Sequence, residues 1–197
     1  MKLIYKGKFN GDESSLPAGK MVEGAVQFRE ADSMKDCAKK VTVLAVVLLV
    51  LAFGAVIVRE INAQVPPFHF WGYLLAMLSP FPHELLHGIC FREEVYLYTN
   101  WKQGMLFVTG PEHMTKGRFV FMSLLPNLLF GFVPLVLFMV NPQWTALGTM
   151  GAMAVSMGAG DYYNVWNALT QVPKGGMVYN QGFHTYWYIK GEEHETD

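Results

Sequence analysis

A chain of 197 residues has room for one ordinary domain or a small membrane bundle. With 52% apolar residues, 16% charged and a mean hydropathy of +0.22, it is too apolar for a typical soluble domain. A net charge of -1 argues against nucleic acid as a partner, and the two cysteines, Cys37 and Cys90, show neither metal-ligand spacing nor a disulfide framework.

In chain order, residues 1–40 read as a small cytosolic N-terminal segment. Residues 3–5 and 25–28 have strand character, separated by a Gly/Asp/Ser/Pro cluster around 11–17. The basic run 34–40 anchors the first apolar segment at a membrane surface. Four segments reach the ~20 residues that a bilayer crossing needs, namely 41–58, 68–91, 119–140 and 144–169. The first begins after forty polar residues, so it is expected as a retained helix rather than a cleavable leader. Lys and Arg number 8 in 1–40, 4 in 92–118 and 2 in 170–197, against 1 in 59–67 and none in 141–143. The positive-inside rule then puts both termini in the cytosol.

The expected fold is a mainly α membrane protein. A four-span bundle over 41–172 is flanked by the N-terminal segment and by a cytosolic tail, 173–197. In the loop 92–118, the β-prone runs 95–99 and 105–108 are joined by 100–104 and read as a β-hairpin between spans two and three. Its edge either pairs with an extended peptide by β-augmentation or serves only as a connector. Span four is rich in small residues, among them Gly148, Gly151, Ala152 and Gly158, which let helices approach closely or leave room for a substrate.

The most informative string is His83-Glu84-Leu85-Leu86-His87 in span two. Positions i and i+4 share a helix face, so both imidazoles can grip one metal ion. Glu84 is then placed to take a proton from a water that the metal activates. Shuffling the composition would produce such a string in roughly one chain in a hundred, and mostly in polar surroundings. Within these four spans, the only acids are Glu84 and Asp161. Acids inside a membrane usually face a functional interior, so Asp161 is the leading candidate for a third ligand. Depth supports it: at 1.5 Å per residue His83 lies ~13 Å and Asp161 ~15 Å from the cytosolic edge. The alternative is a helix-packing or proton-linked acid.

Asn127 and Asn164 fall near the same level. They either hold a ligand or a substrate carbonyl, or make interhelical hydrogen bonds. Pro80 and Pro82 predict a bent or restarted helix just before His83, which would admit water. Glu112, His113 and His184 are expected as exposed polar residues, and His69 as lying near the opposite membrane face.

These residues carry a resemblance. The chain is similar to the family of small bacterial membrane proteins named "putative zincin peptidase". The similarity lies in Tyr5-Lys6-Gly7-Lys8, Pro82 to Gly88, the Gly160-Asp161 pair, and Pro173-Lys174-Gly175 leading into Tyr186-Trp187-Tyr188. More widely it resembles the site-two class of intramembrane metalloproteases, in which an aspartate from a later helix joins HExxH. The Gly160-Asp161-Tyr162 context departs from the Asn-Pro…Asp-Gly pattern of that class. The resemblance implies a Zn2+ peptidase with His83, His87 and Asp161 as ligands and Glu84 as general base. Its partners would be a peptide or membrane-protein substrate and the lipid bilayer. The competing expectation is a non-catalytic metal-binding or regulatory membrane protein. Ion transport ranks last, because spans one and three offer almost no polar path.

Overall fold

The computed structural model describes residues 2–67, 69–100 and 105–190. Its helices follow the apolar segments, but not all of them run unbroken. The first, α1 (Met34–Ala63), starts where the Ser33 side chain accepts the Asp36 N–H at 3.2 Å, with Asp36 in the positive first turn. It ends at Gln64, which turns left-handed at φ 54°.

The second apolar segment is split into α2 (Phe70–Leu78) and α3 (Pro80–Ile89) at Ser79, the place where Pro80 cannot supply a helix N–H. The third runs from Lys116 to Val140 as α4 (Lys116–Asn127), one π turn (Leu128–Phe132) and α5 (Val133–Val140). The fourth is split at Gly158 into α6 (Thr145–Met157) and α7 (Ala159–Gln171), a division the composition of span four did not announce. Two helices, α1 and Lys116–Val140, are thus long and apolar enough to cross a membrane. The other two expected spans are divided pairs.

Two sheets cover one end of the helices. In the first, β1 (Lys2–Lys8) lies parallel to β3 (Glu94–Asn100), which pairs antiparallel with β4 (Met105–Thr109) with Leu97 opposite Val108. The expected hairpin is therefore present, while residues 101–104 of its turn lie outside the described residues. The second sheet has the order β2-β7-β6-β5, formed by β2 (Val26–Gln27), β5 (Met114–Thr115), β6 (Gly176–Gln181) and β7 (His184–Ile189). Residues near the N-terminus thus pair with strands some ninety or more positions away, through β1 on β3 and β2 on β7.

One apolar core, including Phe28, Phe91, Phe119 and Val178, joins the second sheet to α4 and α7. Another, formed by Ala52, Val56, Phe138 and Ala152, locks α1 to α5 and α6. Glycines set that second spacing. A Cβ on Gly151 would lie 2.6 Å from the Leu135 nitrogen, and one on Gly148 would lie 2.7 Å from the Phe138 ring. Below this core α1 buries a carboxylate that the span boundaries had excluded. Glu60 is 1% exposed, and neither of its oxygens has a hydrogen-bond partner among the described residues.

Candidate metal centre

Helix α3 places His83 and His87 one turn apart on one face, and α7 brings Asp161 against both. His83 Nε2 lies 3.1 Å from His87 Nε2 and 3.1 Å from Asp161 Oδ2, and His87 Nε2 lies 3.2 Å from Asp161 Oδ1. Two imidazole nitrogens and the two oxygens of one carboxylate therefore close a triangle of side chains, each histidine facing its own Asp161 oxygen. Ligands at the ~2.0–2.1 Å of zinc, set at the tetrahedral angle, stand about 3.3 Å apart. Their side chains are only 9–18% exposed, which keeps competing water low without sealing the site.

The residues around the triangle fix its atoms. His87 Nδ1 donates to the Met122 carbonyl at 2.9 Å, so in the neutral ring the lone pair sits on Nε2, facing the triangle. Met122 has that carbonyl to spare for a local reason. In an α-helix it would accept from the N–H of residue 126, and residue 126 is a proline inside α4. One turn on, Asn127 Nδ2 donates to Asp161 Oδ2 at 2.7 Å and to the Ser123 carbonyl at 2.9 Å. Gly158, at the break before α7, makes room for this amide, since a Cβ there would run into Asn127 Oδ1.

Glu84 stands beside the triangle. One carboxylate oxygen lies within 4.8 Å of the imidazole nitrogens of His83 and His87, while Oε2 accepts the Val108 N–H at 2.9 Å. That N–H belongs to β4, the edge strand of the first sheet, and it points away from β3. A clamp holds this arrangement from the far end of α3. Arg118 donates to the Cys90 carbonyl from Nε at 3.0 Å and pairs with Glu112 at 2.5 Å, and Glu112 Oε2 accepts the N–H groups of Arg92 and Glu93. Burial alone would raise the Glu112 carboxyl, but those N–H groups and the Arg118 guanidinium outweigh it and hold it below its ordinary 4.5.

The structure thus brings His83, His87, Asp161, Asn127 and Glu84 together. Asn164 makes no hydrogen bond to the triangle among the described residues; with His87 and Asp161 it lines a chamber of ≈ 90 Å³. Glu112, expected as exposed, is 6% exposed and tied into the clamp, because its loop folds back over the end of α3. His113 stacks on Tyr179 and reaches the Tyr188 hydroxyl at 2.9 Å, and His184 faces Glu30 at 3.3 Å. Sequence reasoning missed the Met122 carbonyl and the Val108 N–H, although Pro126 was a readable sign of the first.

The donor set fits zinc. Two imidazole nitrogens 3.1 Å apart each face a carboxylate oxygen at 3.1–3.2 Å, a nitrogen and oxygen set of the kind zinc takes, and no Lys or Arg among the described residues pairs with Glu84 or Asp161. A divalent cation is the matching charge for two such carboxylates.

Residues 76–177 match the family described as "Putative zincin peptidase". The match covers half the chain, from the end of α2 into β6, and contains every group of the centre. No curated protein and no solved structure matches the chain.

Proposed function

The chain belongs to this zincin peptidase family, and from that membership we propose that it is a zinc-dependent, membrane-embedded peptidase acting near the cytosolic face. The observation that carries the reading is the His83–His87–Asp161 triangle with Glu84 at its side. His83, His87 and Asp161 would hold the ion. Zinc bound there supplies Lewis acidity, lowering the pKa of a water and polarising a scissile carbonyl.

The protein's own groups do the rest. Glu84, anchored through Oε2, keeps its other oxygen to take the proton of the attacking water and return it to the leaving amine. The Met122 carbonyl keeps the His87 ring in one tautomer, and Asn127 keeps Asp161 from swinging out. The outward groups of β4 other than the Val108 N–H, which Glu84 holds, offer an extended peptide an edge to pair with, which aligns its backbone beside Glu84.

The bilayer reading rests on apolar side chains that nothing in the chain covers. Val43, Val50, Ile61, Val136 and Val140 are each more than half exposed, an arrangement that lipid tails relieve and water does not. In this reading the chain crosses four times with both termini cytosolic. The divided pairs α2–α3 and α6–α7 cross as bent units whose breaks admit water at the level of the site.

The test is the metal content of detergent-purified wild type beside His87→Ala and Asp161→Ala, with Glu84→Gln carried through an assay of peptide hydrolysis. The expected result is about one zinc per chain, lost in the first two variants. Glu84→Gln should keep the metal and lose about 10²–10⁴-fold in rate. Wild type that takes up no zinc, or Glu84→Gln that cleaves at the wild-type rate, would sink the proposal.

A further inference from the structure

The chamber beside the triangle borders a larger cleft. Val108, Asn164 and Asn180 line both the ≈ 90 Å³ chamber and a neighbouring cavity of ≈ 250 Å³. One wall of that cavity is β4 at Phe107, Val108 and Thr109. The lining also includes Met34, Cys37 and Val41, one stripe of α1 at i, i+3 and i+7. Gly160 borders it on α7, and a Cβ there would meet nothing within 4 Å, so the space is open beside the metal helix.

Most of the lining is apolar or uncharged, with one ionisable carboxylate, Glu30. Its side chain is 9% exposed. Oε1 accepts the Thr185 N–H at 2.8 Å and faces His184 Nδ1 at 3.3 Å, and the Thr185 side chain also bonds the carboxyl, three contacts for a group with about four acceptor sites. No Lys or Arg among the described residues pairs with it. Burial pushes the carboxyl above its ordinary range, the state of an acid held in an apolar wall without a full counter-charge. Glu30 takes no part in the chemistry assigned to Glu84.

We propose that Glu30 is a specificity subsite that receives the Lys or Arg side chain of an extended substrate peptide laid along β4. The inference rests on the peptidase reading and deepens it by naming the substrate class. The cleft accepts apolar side chains over most of its length and one cation at Glu30. A peptide of that pattern is the cytosolic border of a membrane segment, where apolar residues give way to Lys and Arg. The α1 stripe that walls the cleft sits at the same kind of border in this chain, beside Lys39 and Lys40.

The test uses the purified, zinc-loaded full chain and a randomised peptide library on an apolar background, with products read by mass spectrometry. The expected result is enrichment of Lys and Arg at one fixed distance from the cleaved bond. A matched pair of peptides, with Lys or norleucine at that position, should then differ about tenfold or more in kcat/KM. Glu30→Gln should bring that ratio close to one and leave zinc content unchanged, since Gln still accepts the Thr185 N–H. Glu30→Lys should shift the preference to Asp and Glu. The peptide swap needs no variant, so a folding defect in either mutant does not decide the matter. Cleavage without a basic preference, or a preference that survives in Glu30→Gln, overturns the subsite and leaves the peptidase standing. No cleavage of any peptide by wild type overturns the peptidase reading, and the subsite with it.

Discussion

Helix α1 and the helices around the triangle are built from similar residues and behave differently. Over 30 residues α1 keeps regular helix with no internal break, and it contributes no atom to the triangle. The other three apolar segments all depart from regularity near the site: at Ser79, at Gly158, and at Pro126 with the π turn behind it. Regular helix commits its backbone N–H groups internally and leaves its carbonyls only a second acceptance, such as the one Ala45 of α1 gives the Ser156 hydroxyl. Each irregularity releases a group or makes space. Pro126 frees the Met122 carbonyl, Gly158 admits Asn127, and Pro80 starts the helix that carries both histidines. In this chain the chemistry sits where the helices are interrupted.

Substitutions on either side of this contrast test it, the most damaging first. Gly151→Leu forces a side chain onto the Leu135 backbone, so the packing of α5 and α6 that supports the irregular helices should fail. We expect a loss of about 3 kcal/mol or more, seen as poor yield and a collapsed thermal transition in detergent. A variant that melts with wild type would show that the close approach is not needed.

Glu112→Gln should weaken the clamp on α3 by about 1–3 kcal/mol, because Arg118 loses a charged partner. The sign of its pH dependence follows from the depressed carboxyl. Its contribution is complete above the unfolded value of about 4.5 and disappears as pH falls through the lower folded one. Thermal melts of wild type should therefore fall towards those of Glu112→Gln below that range. Parallel curves at all pH values would remove Glu112 from the clamp.

Pro126→Ala separates helix stability from metal binding. Alanine suits the helix better, yet its N–H competes with His87 for the Met122 carbonyl. Chelator competition should show zinc held about 10–100-fold more weakly while the metal-free protein melts no lower. Unchanged affinity would mean that the carbonyl does not orient the ring. The smallest effect belongs to α1. Val50→Ala, on its exposed face, should change stability by no more than about 0.5 kcal/mol and zinc affinity not at all, by the same two measurements. A clear effect there would make α1 part of the site after all.

What the chain alone determined is local or additive. The pair His83 and His87 was legible because i and i+4 share a face whatever the tertiary fold. Asp161 was legible because rise per residue counts depth, and two acids at one level of two helices can meet. The hairpin of β3 and β4 followed from two β-prone runs joined by a short polar stretch. Tertiary structure alone decided the rest. Val108 and Met122 act through backbone atoms, which every residue possesses and no side-chain pattern marks. Glu112 and Glu60 are buried by loop folding and helix length that composition does not encode. Glu30 faces the cleft because β2 pairs with β7, a contact between segments more than 150 residues apart, whose register is set by the folded sheet and not by either strand.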